Sequence, residues 1–135
     1  MKPEVLIQKA VEAMGRAYAP YSGYKVGAAL LCDDGTVYEG CNIENASYTP
    51  TVCAERTAIF KAVSEGKRNF AAIAICGGKD GAITGQFPPC GVCRQVMREF
   101  CGDDFTIYLI GKDGAYETMT LAQLLPNSFK PEFLI

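Results

Sequence analysis

Apolar positions along this 135-residue chain switch between a helical period and strict alternation. Pro3 suits a helix start, and Ile7, Ala10, Val11, Met14 and Tyr18 follow at helical spacing. A helix is predicted over 3–17, broken by Ala19-Pro20-Tyr21-Ser22-Gly23. Lys25 to Cys32 reads as a strand with Val26, Ala28 and Leu30 on one face. Asp33-Asp34-Gly35 makes a hairpin turn into a second strand, Thr36 to Cys41. Residues 42–51 are an irregular loop rich in hydrogen-bonding groups, and a helix is predicted from about Val52 to Glu65, stopped by Gly66. Ala71 to Cys76 is a short apolar strand, and Gly77 to Pro89 a glycine- and proline-rich loop. Cys90 to Cys101 is predicted helical, Phe105 to Ile110 and Ala115 to Met119 are strands, and Leu121 to Leu125 is a short helix before Pro126. This order predicts an α/β fold: a three-layer α/β/α sandwich around a mixed five-stranded sheet, in one domain over residues 1–135.

Composition narrows the function classes. Hydrophobic residues make up 49% and charged residues 21%, which speaks against disorder. The net charge of -2, with no basic stripe, argues against a nucleic-acid partner. No apolar run approaches the ~20 residues needed to cross a bilayer, so no membrane partner is expected. Met1-Lys2-Pro3-Glu4 lacks the layout of a signal peptide, and a cytoplasmic location is expected. Seven cysteines and no histidine change the picture most. An odd count disfavours a disulfide framework. The absence of histidine excludes Ser-His and Cys-His catalysis and leaves thiolates and carboxylates to hold any metal.

The chemistry concentrates in Cys53-Ala54-Glu55 and in Pro88-Pro89-Cys90-Gly91-Val92-Cys93. Each cluster lies at a predicted helix start. Cys90 and Cys93 at one helix end, with Cys53 at another, offer three sulfurs to one ion and leave a tetrahedral position open, as in catalytic zinc. Glu55, in a first turn viewed end-on, reaches that open position. Zinc held by three thiolates is net negative and needs compensation, which two helix N-termini and Arg56 supply; alternatively, Arg56 is an ordinary exposed helix arginine. A ligand-x-Glu motif with a downstream Pro-Cys-x-x-Cys is the signature of zinc deaminases.

Taken together the chain resembles the small homotetrameric cytidine deaminases with three-cysteine zinc. Further resemblance lies in Ala19-Pro20-Tyr21-Ser22, Tyr24-Lys25-Val26-Gly27-Ala28-Ala29-Leu30, Gly40-Cys41-Asn42-Ile43-Glu44-Asn45-Ala46-Ser47-Tyr48 and Leu124-Leu125-Pro126-Asn127-Ser128-Phe129. The resemblance implies hydrolytic deamination of cytidine and deoxycytidine to uridine and deoxyuridine. Hydroxide supplied at zinc attacks C4, and Glu55 shuttles protons to N3 and to the leaving amine. It implies one zinc ion per chain, on Cys53, Cys90 and Cys93. It also implies substrate contacts from Tyr24, Asn42, Glu44, the Ala54 N–H and the Pro88 carbonyl. Tyr48 and Phe129 would reach neighbouring subunits' sites, making a homotetramer with shared active sites. Position 24 is usually Phe in that family and here is Tyr24, which keeps the ring face and adds a hydroxyl.

Blander and rival assignments stand beside these. Cys32, Cys41, Cys76 and Cys101 read as buried small hydrophobes. Asn42 and Glu44 are also the kind of residue that braces a turn, and Tyr48 and Phe129 the kind that packs on its own domain. A structural zinc module would need a fourth protein ligand. A redox Cys-x-x-Cys leaves Cys53-Ala54-Glu55 unexplained. A deaminase of nucleotides would need a phosphate fingerprint that is absent, whereas an aminonucleoside antibiotic such as blasticidin remains open as substrate.

Overall fold

The computed structural model describes residues 1–135. Its elements run α1 (Pro3–Met14), β1 (Tyr24–Cys32), β2 (Val37–Cys41), α2 (Ala54–Ser64), β3 (Phe70–Lys79), α3 (Gly91–Phe100), β4 (Thr106–Ile110), β5 (Tyr116–Thr120) and α4 (Leu121–Leu124). The sheet order is β2-β1-β3-β4-β5. Only β3 and β4 pair in parallel; β1 pairs antiparallel with both β2 and β3, and β4 antiparallel with β5. The predicted mixed five-stranded sheet between helical layers is therefore the fold observed.

Strand alternation sorts the core into two halves. Val26, Ala28 and Leu30 of β1, Ile73 and Ile75 of β3, and Ile107 and Leu109 of β4 face the side covered by α2, α3 and α4. Ala29, Ala72, Ala74 and Cys76 face α1 through Leu6, Ala10 and Met14. The α1 side is lined by small residues because that helix lies very close. A Cβ on Gly27 would stand 2.1 Å from the Ala10 carbonyl oxygen. β1 is buried on both faces because helices cover both sides of the sheet, as the expected three-layer arrangement requires.

The same economy fixes α2. A Cβ on Gly40 of β2 would lie 2.5 Å from both the Ala54 carbonyl oxygen and the Ala58 nitrogen. Gly40→Ala is therefore expected to push the first turn of α2 off the sheet. The expected cost is about 1–3 kcal/mol, read as a lower denaturation midpoint, with a loss of bound zinc because Cys53 and Glu55 begin that turn. An unchanged midpoint and unchanged metal content would contradict this packing.

Three predicted boundaries are corrected. The first helix ends at Met14, not residue 17: the Arg16 and Ala17 N–H groups close a turn on Ala13 and Met14, and Tyr18 leaves to bridge Ile43. β3 continues through Gly77, Gly78 and Lys79, which the sequence places in a loop, because these residues pair with Val26, Lys25 and Tyr24. Gly78 tolerates this because its missing Cβ leaves room for the Ala82 carbonyl oxygen. The second helix begins at Ala54 rather than Val52, with Cys53 as its N-cap. No helix is long and apolar enough to cross a membrane.

Candidate active site

Cys53 and Cys90 are the N-cap residues of α2 and α3, both in extended backbone and neither capping with its side chain. Their sulfurs are therefore free to project past the helix ends, where unpaired amides favour negative charge. Cys93, one turn into α3, is fully buried. The three Sγ atoms lie within 4.8 Å of one another, and Cys53 Sγ is 3.7 Å from Cys90 Sγ. Two sulfurs about 2.3 Å from a tetrahedral zinc stand about 3.8 Å apart, so this donor set fits zinc in both chemistry and size.

Glu55 is 3% exposed, and its Oε1 has no hydrogen-bond partner. A buried carboxylate oxygen left without a donor normally carries a large desolvation cost. Burial pushes its pKa up to about 7, and the neighbouring Cys53 sulfur adds to the rise. The group is thus poised to exchange a proton near neutrality. Arg56 donates from NH2 to Cys53 Sγ at 3.4 Å. That contact raises the Arg56 pKa further. Hydrogen bonds from Cys93 and then Arg56 hold Cys53 down to about 5, while sharing its proton with Cys53 and burial push Cys93 up. A divalent cation would pull all three to thiolates.

The remaining expected residues lie in several places. Ala54 is the first residue of α2 and fully buried, so its N–H has no partner within the helix. Asn42 is buried: its Oδ1 accepts from Val26 N at 2.9 Å, and its Nδ2 donates to the Tyr24 carbonyl at 2.8 Å. It thus braces β1. The Glu44 carboxylate accepts from Tyr21 N, Ser22 N and Ser22 Oγ, and the Ser22 hydroxyl is the main cause of a pKa below the usual carboxylate range. Tyr24 leans on Phe87, ring centroids 6.0 Å apart, with Lys79 Nζ 5.2 Å above its ring. Tyr48, 73% exposed at φ 62°, borders a cavity of about 330 Å3 with Tyr21, Ser22, Glu44 and Thr51. Phe129 is elsewhere: it stacks on Phe133 at 5.5 Å, and its carbonyl accepts from Gln95 of α3. Sequence reasoning missed Arg94, whose Nε donates to the Pro89 carbonyl and whose NH1 donates to that of Leu124, both at 2.7 Å. Its position beside Cys93 in the motif was the only available signal.

The sequence pattern described as "Cytidine and deoxycytidylate deaminase zinc-binding region" matches residues 1–109. The chain is 50% identical to a cytidine deaminase of Sporosarcina psychrophila, covering 99% of this chain and 96% of that one. The chain belongs to the cytidine deaminase family. A relative in Halalkalibacterium halodurans, also a cytidine deaminase, is 49% identical over 98% of this chain and 97% of its own. The crystal structure of cytidine deaminase from Burkholderia pseudomallei matches with a TM-score of 0.88 at 46% identity, over 96% of this chain and 100% of that chain. That of Mycobacterium tuberculosis matches with a TM-score of 0.79 at 38% identity, over 96% and 98%. The fold brings three sulfurs that could hold one metal ion to two helix starts, with a buried carboxyl beside them.

The other cysteines separate cleanly from this group. Cys32, Cys76 and Cys101 are buried, as expected of small hydrophobes, and burial pushes Cys76 up to about 11 and Cys101 up to about 12. Cys41 corrects that expectation: it is only half-buried, because β2 is an edge strand. Alkylation of native, metal-free protein near pH 7.5 is expected to modify Cys53 first and to spare Cys76 and Cys101. Zinc is expected to protect three thiols. Protection of a fourth would indicate a closed, structural zinc.

Proposed function

We propose that this chain hydrolyses the exocyclic amine of cytidine and deoxycytidine, giving uridine or deoxyuridine and ammonia in pyrimidine salvage. The observation that carries the proposal is the unpartnered, buried Glu55 oxygen beside three converging sulfurs. Cys53, Cys90 and Cys93 would hold zinc, which when bound supplies Lewis-acid activation of water near neutral pH. Glu55 takes a proton from the attacking water and delivers it to ring N3. It then takes the second proton from the new C4 hydroxyl and delivers it to the amine, so that the C4–N bond breaks, the C4 carbonyl forms and ammonia leaves. Burial of Glu55 assists both transfers, because a carboxyl with a pKa near 7 both accepts and releases protons at working pH. Arg56 draws charge from Cys53 and so keeps the site from becoming too electron-rich.

Substrate recognition follows from groups around this centre. The free Ala54 N–H suits the pyrimidine carbonyl, and the Pro88 carbonyl the amine. Tyr24 offers a ring face to the base. Asn42 retains one amide proton after bracing β1, and Glu44 accepts from a sugar hydroxyl. An ionised Glu44 also repels phosphate, so nucleosides should be turned over in preference to cytidine 5′-monophosphate. Equal turnover of the nucleotide would overturn that specificity.

We further propose a homotetramer in which Tyr48 and Phe129 enter neighbouring sites. Both rings are more than half exposed in the single chain, and Phe133, Leu134 and Ile135 extend the apolar surface around Phe129. Light scattering should give about four chain masses; a monomer at micromolar concentration would contradict it. Seven free thiols accord with a reducing compartment, in keeping with a cytoplasmic protein.

A further inference from the structure

We propose that Ser22 is a positioning residue that sets the sugar specificity of this site through Glu44. The proposal rests on the assignment of Glu44 to the substrate's sugar hydroxyls. Glu44 lies in the irregular segment after β2, yet every donor to its carboxylate comes from residues 21 and 22. Oε1 accepts from Tyr21 N at 2.9 Å and Ser22 N at 3.1 Å, and Oε2 accepts from Ser22 Oγ. A serine hydroxyl has one proton, and here it is spent on Glu44. The same Oγ accepts from Tyr24 N at 3.0 Å, which fixes the direction in which that proton points.

The turn is held from behind as well. Lys79 Nζ donates to the Ser22 carbonyl and Asp80 N to the Gly23 carbonyl, each at 2.7 Å. Glu44 N donates to the Tyr18 carbonyl at 2.9 Å, so the backbone on both sides of the contact is tied. An ionised carboxylate has about four acceptor positions. Three are filled from within the chain, which leaves one, facing the cavity that Tyr48 and Thr51 also border. A carboxylate so held presents a single oriented acceptor to a hydroxyl donor. Without the Ser22 hydroxyl, Oε2 is free to turn toward water while the two backbone donors remain, so the loss falls on orientation rather than on folding.

The test compares cytidine with 2′,3′-dideoxycytidine, which lacks both sugar donors. Parent, Ser22→Ala, Ser22→Thr and Glu44→Ala proteins are assayed for KM and kcat, with Ki as a competitor replacing KM if the dideoxy compound is turned over slowly. Ser22→Ala is expected to raise KM for cytidine about tenfold with kcat little changed, and to leave the dideoxy constants at the parent values. Ser22→Thr, which keeps the hydroxyl, should remain close to the parent. If Glu44→Ala leaves cytidine KM unchanged, the assignment of Glu44 itself fails and the proposal falls with it. If Glu44→Ala removes discrimination between the two nucleosides but Ser22→Ala preserves it, or weakens both equally, Ser22 does not position Glu44.

Discussion

Glu55→Gln is expected to lower kcat by roughly 10²–10⁴-fold, the range of general acid–base catalysis, while zinc content and fold stay as in the parent. Glutamine matches the shape of the carboxyl but neither accepts nor releases a proton. The site has no histidine to substitute for it, since the chain contains none. The same substitution has a signature in the metal-free protein. Burial raises the Glu55 pKa from 4.5 to about 7. Between those values the folded form keeps a proton that the unfolded form has lost, so the parent loses stability as pH rises through this window. Relative to Glu55→Gln the deficit should reach about 3 kcal/mol above pH 7. Denaturant titrations at pH 4.5 and pH 8 read this difference directly. Parent-like turnover in the variant, or a stability gap that does not change with pH, would remove Glu55 from its assigned role.

The second large effect is on the metal. Cys93→Ala should abolish zinc retention and reduce turnover to background. Cys93 is the one fully buried residue of the three. With two sulfurs left, the site offers too few soft donors for a tight tetrahedral ion. Zinc at a hundred times its dissociation constant stabilises the parent by about 2.7 kcal/mol. That increment should vanish in the variant, so that a chelator no longer lowers its thermal midpoint. A variant that still binds one zinc per chain and shifts with chelator would exclude Cys93 as a ligand.

Much of this site is legible in the sequence for a specific physical reason. Cysteine at a helix start carries its meaning in local spacing. Cys53-Ala54-Glu55 and Cys90-Gly91-Val92-Cys93 follow loops that end in helices, and those N-caps are where the structure places them. Arg56 is readable in the same way: three residues after Cys53, it donates to the Cys53 sulfur. The near-continuous apolar runs in β3 and β4 likewise announce a sheet covered on both faces.

What escaped depends on partners distant along the chain. Ser22 meets Glu44 across 22 residues, and no spacing rule connects a turn before β1 with a loop after β2. Gly77 and Gly78 have little strand propensity of their own and become strand only because β1 pairs with them. Tyr18 continues the helical spacing of α1, but Gly15 and Arg16 have already turned the chain, and its carbonyl serves Glu44 instead. Asn42 likewise acts through a distant partner: both ends of its amide bond to β1, which no local spacing announces.

The most direct measurement is the ultraviolet spectrum of cytidine over time with zinc-loaded protein, with ammonia measured in the same sample. A falling cytosine band with one ammonia released per nucleoside is expected, and neither change with Glu55→Gln. An unchanged spectrum from protein carrying one zinc per chain would contradict it, leaving the zinc scaffold in place with cytidine excluded as its substrate.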